Sequence, residues 1–134
     1  MAEANASGSA GKPRPLSPHL QVYSLLINMV MSIVHRMTGA ALYFGTLLVA
    51  WWLIAAAMSG EHFAFVNGIL ASLPGRIVLF GYTWALIHHA LGGLRHLIWD
   101  TGAGFKLATV NFLCWSTIIL SLISTIAIWW ALLA

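Results

Sequence analysis

Three long runs of the chain carry no Asp, Glu, Lys or Arg: residues 37–60, 77–94 and 107–134. None alternates polar with apolar positions at a two-residue period, so none reads as a half-buried strand. Each is near or above the ~18–20 residues a helix needs to cross a ~30 Å hydrocarbon core. Inside lipid every backbone N–H and C=O must be paired internally, which leaves helices or closed barrels, and the missing alternation leaves helices. The pattern predicts an all-α membrane protein. Its three transmembrane helices fall at about 29–59, 74–100 and 106–132, within one domain over 28–134. Pro74 suits the start of the second helix and Gly102 its stop.

Residues 1–27 break the pattern. The opening "MAEANASGSAGKPRPLSPH" is rich in Ala, Gly, Ser and Pro and has nothing to bury, so an extended or disordered cytoplasmic segment is expected. No apolar stretch follows a charged start as in a signal peptide, and Arg is too sparse for a mitochondrial transit peptide. The expected location is therefore the bacterial inner membrane rather than the mitochondrial one.

Composition sharpens this. Hydrophobic residues make up 60% and charged residues 7%, against about a quarter charged in a soluble domain. The solvent is a lipid bilayer. A net charge of +3 fits a cytoplasmic membrane face and calls for no nucleic acid. Lys12, Arg14 and Lys106 lie on one side of the predicted membrane, whereas Glu61 and Arg76 nearly cancel on the other. The positive-inside bias then puts the N-terminus in the cytoplasm. Trp51, Trp52, Trp129 and Trp130 gather at the outer interface, where amphipathic rings prefer to sit. Cys114, the single cysteine, reads as a small apolar filler that can neither pair internally nor hold a Cys-ligated cluster. No CxxCH, dinucleotide fingerprint or Gly-rich phosphate loop occurs.

Two polar faces remain within this apolar frame. On the second helix His89, Gly93, His96 and Asp100 share one face, with His88 about 100° and Arg95 about 120° away from His89. If Asp100 marks the cytoplasmic end, His89 lies about 16 Å deeper, close to mid-bilayer. Ionisable groups are expensive there and usually functional. A neutral imidazole at that depth either bonds a neighbouring helix or ligates haem iron, and spacing alone does not separate the two. Gly92 and Gly93 would admit either a flat macrocycle or a close helix. On the first helix Ser32, His35, Arg36 and Gly39 are spaced i, i+3, i+4, i+7 and share a face, with Arg36 about 10 Å into the membrane. A cation there can snorkel, pair with Asp100, or meet the propionates of a haem or the oxygen of a small carbonyl ligand such as a quinone.

The stretches "RPLSPHLQVY" (14–23), "SIVHRMTG" (32–39) and "HHALGGLRHLIWD" (88–100), with the three-helix layout, resemble the cytochrome b-type membrane-anchor subunit of succinate dehydrogenase, respiratory complex II. The resemblance covers nearly everything after Lys12. It implies packing with a second three-helix anchor subunit, one haem b shared with it, and docking of an iron–sulfur subunit and a flavoprotein subunit. Ubiquinone would be the substrate. By position, His89 in the pattern H-x3-G-x-R-H resembles the axial haem ligand. Ser32 and Arg36 resemble the quinone-site serine and arginine, and Asp100 an acid near that site. His35, Arg36 and His96 match positions beside the haem propionates. No catalytic residue, and no complete active site, is expected on this chain alone. The alternative from another class is a small proton- or ion-transport or assembly-helper subunit without haem, its histidines acting as a relay.

Overall fold

The computed structural model describes residues 24–134. The stretch 14–23 and all but the last residues of the segment 1–27 lie outside them. The chain forms four helices: α1 (Ile27–Met58), α2 (Gly60–Ala71), α3 (Leu73–Asp100) and α4 (Leu107–Leu133). Of these, α1, α3 and α4 are long and apolar enough to cross a membrane.

The short α2 was not predicted; the pattern placed only a connecting loop there. Local capping explains it. Ser59 adopts extended backbone after α1, and its Oγ accepts from the His62 N–H at 3.3 Å. Glu61 in the first turn complements the helix dipole. Val66 is buried, and Trp52 Nε1 donates to Asn67 Oδ1 at 2.9 Å, tying α2 back to α1. Ser72 then caps α3 in the same way, accepting from the Gly75 N–H at 3.3 Å, with Pro74 in the first turn. A side chain at position 75 would collide with the backbone of Ile69 and Leu70, so the tight α2–α3 corner requires glycine. Beyond α3 the chain turns through Gly102 and Gly104, both with positive φ (78° and 81°), a conformation costly for other residues.

Packing runs against the soluble norm. α3 packs most extensively against α4 and α1, which also touch each other. Thr38, His88, Arg95, Thr117, Ser121 and Thr125 are buried, whereas Phe44, Phe112 and Trp130 are about two-thirds or more exposed (67%, 69% and 77%). Lipid tails are as apolar as leucine, so helices here associate through close van der Waals contact and small or polar residues rather than by hiding apolar surface. On α4 that stripe is Cys114, Thr117, Ser121 and Thr125, spaced three, four and four residues apart. The hydroxyls largely satisfy themselves: Thr117 donates to the Leu113 carbonyl (2.8 Å) and Thr125 to that of Ser121 (2.7 Å). On the α1 side Tyr82 lays its ring into the space that a side chain at Gly45 would need.

Candidate functional site

The two adjacent histidines of α3 diverge at once. His88 faces α4 and is 2% exposed; its Nδ1 lies 3.1 Å from Ser121 Oγ. His89 faces α1 and is half-buried. Its Nδ1 lies 3.2 Å from both the His35 carbonyl oxygen and Thr38 Oγ1.

These partners fix the tautomer of His89. A carbonyl oxygen only accepts, and the Thr38 hydroxyl already donates its one hydrogen to that same His35 oxygen at 2.9 Å. Nδ1 must therefore carry the proton and donate to both oxygens. Nε2 keeps its lone pair and makes no hydrogen bond among the described residues. An imidazole held through one N–H with the other nitrogen bare is the arrangement that a metal-ligating histidine needs.

His35 completes the site from α1. Its ring stacks on that of His89, centroids 4.0 Å apart and planes within 4°. The ring fits because position 92 is glycine: a Cβ there would stand 2.5 Å from His35 Nδ1. Gly92 thus serves helix approach rather than an opening for a macrocycle. Gly93 is different, since a Cβ there would meet nothing within 4 Å. His96, exposed, lies 5.1 Å from the His35 ring and edge-on to Trp99 at 5.3 Å. His35 Nδ1 and Trp99 Nε1 are buried without a partner.

The remaining sequence-predicted residues are not drawn into this cluster. Arg36 is exposed, Ser32 is half-buried one turn before it, and Asp100 is exposed at the end of α3. None of the three makes an ion pair or side-chain hydrogen bond among the described residues, so Arg36 and Asp100 do not pair with each other. Arg95, by contrast, is buried rather than snorkelling. Its Nη1 donates to Cys114 Sγ at 3.6 Å, and its guanidinium sits 5.1 Å from the Trp99 ring centroid. Cys114 is accordingly an acceptor as well as a filler. Thr38 was missed by sequence reasoning. Its signal was present: a hydroxyl three residues after His35 lies over the carbonyl that His89 also uses.

Among the described residues no three His, Cys, Asp or Glu side chains converge as a self-contained metal centre. Haem asks for less, one imidazole nitrogen per axial position. The bare Nε2 of His89, the open side at Gly93 and the unsatisfied polar atoms of His35 and Trp99 together fit such a group.

A helical protein with three spans long and apolar enough to cross a membrane, and a histidine cluster between two of them, is the class of protein the fold and site define. The chain belongs to the family of succinate dehydrogenase/fumarate reductase transmembrane subunits, whose model matches residues 10–128. It is similar to the succinate dehydrogenase cytochrome b556 subunit of Rickettsia felis, with 39% identity over 116 residues covering 87% of this chain and 90% of that protein. The cytochrome b556 subunit of Paracoccus denitrificans is 49% identical over 94 residues, covering 70% and 72%. The human mitochondrial cytochrome b560 subunit is 36% identical over 101 residues, covering 72% and 59%.

Proposed function

We propose that this chain is the cytochrome b-type membrane anchor of a succinate:quinone oxidoreductase, holding one haem b through His89 and forming part of a ubiquinone-reduction site. The observation that carries this function is the locked imidazole of His89, its Nδ1 proton shared between the His35 carbonyl and Thr38, its Nε2 free. A haem held through His89 would take its second protein ligand from a partner anchor subunit. When bound, the haem supplies one-electron storage near mid-membrane.

The chain's own residues bind and orient. His35 stacks on the His89 imidazole and limits its rotation; His96 and Arg36 would offer donors to the carboxylates of a bound haem. Quinone reduction consumes two electrons and two protons. The electrons come from the iron–sulfur subunit, which receives them from succinate through the flavoprotein subunit. Ser32 and Arg36, one turn apart on α1 and unpartnered, hydrogen-bond a quinone carbonyl oxygen and stabilise the negative charge it gathers. Asp100, exposed at the helix end, or a histidine helps deliver protons to that oxygen. The complex sits in the bacterial inner membrane with the N-terminus of this chain in the cytoplasm, supported by Lys106 between α3 and α4 against the near-balance of Glu61 and Arg76.

The test is purification of the complex by an affinity tag on this chain. The flavoprotein and iron–sulfur subunits should co-purify, and a reduced-minus-oxidised optical spectrum should show b-type haem bands. Partner subunits without those bands would reduce the chain to a purely structural anchor. Absence of both would favour the transport reading.

A further inference from the structure

At the end of the bundle opposite Asp100, the four helices leave a hollow of about 670 Å³. Arg76 stands beside it, roughly 36 Å from Asp100 and about 20 Å from His89 along α3 at 1.5 Å per residue. This hollow is therefore separate from the histidine cluster. Its walls are mostly apolar, and each helix contributes a leucine: Leu48 from α1, Leu70 from α2, Leu79 from α3 and Leu133 from α4. A second apolar hollow of about 340 Å³, walled by Phe80, Ile126 and Trp130, shares Trp129 and Leu133 with the first. The Trp129 indole thus stands between two neighbouring apolar grooves. Its own N–H is turned away, donating to Thr83 Oγ1 at 3.3 Å.

The polar groups left without a partner at the larger hollow are all donors. Trp52 Nε1 can only donate, so the Asn67 atom it meets at 2.9 Å is the carbonyl oxygen. The Asn67 amide N–H groups are left for another acceptor and find none among the described residues. Arg76 likewise has no carboxylate partner among them. It also sits in the first turn of α3, where the helix dipole disfavours a cation and adds to the positive field. The site offers five guanidinium donors and an amide to a ligand, and no carboxylate.

The geometry points to a binding site for a two-chained membrane phospholipid, its phosphate held by Arg76 and Asn67 and its acyl chains in the grooves on either side of Trp129. Two grooves at one indole match two chains, whereas an isoprenoid quinone has a single tail and a neutral head. The donors face an acceptor-only group, which a phosphate diester is.

Two probes on identical acyl chains test this: a diazirine-bearing phosphatidylglycerol and the corresponding diacylglycerol, which lacks the phosphate. Each is added to the intact purified complex in phosphatidylcholine nanodiscs, and adducts are mapped by mass spectrometry. The phosphatidylglycerol probe should label peptides containing Leu48, Leu79 or Leu133, and the diacylglycerol far less. Arg76→Gln should lower the phosphatidylglycerol adduct about tenfold, as expected for loss of a charge-assisted hydrogen bond. Arg76→Lys should keep much of it, and Leu79→Trp should fill the hollow and abolish it. Complex yield and succinate oxidation report folding of each variant. Equal labelling by both probes, labelling untouched by Arg76→Gln, displacement by ubiquinone, or protection of these peptides by a partner subunit would each overturn the proposal.

Discussion

His88 and His89 are neighbours in the chain, yet α3 delivers them to different helices and to different fates. On the α4 side, His88 is sealed at 2% exposure against Ser121, in a seam where Arg95, Cys114, Thr117 and Thr125 are also buried. On the α1 side, His89 is only half-buried; buried polar atoms without a partner occur on both sides, His35 Nδ1 here and His88 Nε2 and Arg95 Nε in the α4 seam, so exposure is what separates the two. The Ser121 hydroxyl donates to the Ile118 carbonyl at 2.9 Å, so His88 also carries its proton on Nδ1 and leaves Nε2 bare. The two imidazoles therefore share a protonation pattern and differ in access. Chemistry at such a site is decided by what can approach the nitrogen, not by the nitrogen alone.

The largest effect should come from closing the α1 face. Gly92→Leu would put a side chain where the His35 ring lies; overpacking of this kind costs about 1–3 kcal/mol or more. Most assembled complex should be lost on a native gel. His88→Ala attacks the other face. It should destabilise the complex by about 1–3 kcal/mol, seen as a lower melting temperature, because a cavity opens and a buried hydrogen bond goes. Its haem content should be unchanged.

A smaller and more selective effect is expected at the unpartnered edge of the open face. Arg36→Lys keeps the charge but loses the planar fork, and Ser32→Ala removes one hydroxyl. Each should lower the ratio of quinone-linked to artificial-acceptor activity in isolated membranes, roughly two- to tenfold per hydrogen bond lost. Thr38→Val is the finest probe. It leaves His89 Nδ1 with the His35 carbonyl alone, so haem should remain while its midpoint potential moves on the order of tens of millivolts.

Much of this division could be read in the sequence. Three apolar spans, their ends at Pro74 and Gly102, and the roughly 100° between His88 and His89 follow from period and length alone. That His89 and His96 share one face of the second span, and His35 one face of the first, was likewise legible; that the His35 ring stacks on His89 was not. What escaped depended on neighbours that period cannot supply. α2 rests on a Ser59 cap and one tryptophan–asparagine bond, too local and too short to stand out. Burial of Arg95 required knowing that Cys114 lies opposite it. The use of Gly92 by His35 required the height at which α1 crosses α3. Thr38 emerged only once a carbonyl shared by two helices was visible.

The difference between the two imidazoles is tested most directly by optical difference spectra of the purified complex carrying His89→Ala or His88→Ala, compared at equal flavin content. The expected result is loss of the b-type bands in His89→Ala and their full retention in His88→Ala. Loss in His88→Ala with retention in His89→Ala would contradict the assignment of the α1-facing nitrogen as the haem ligand.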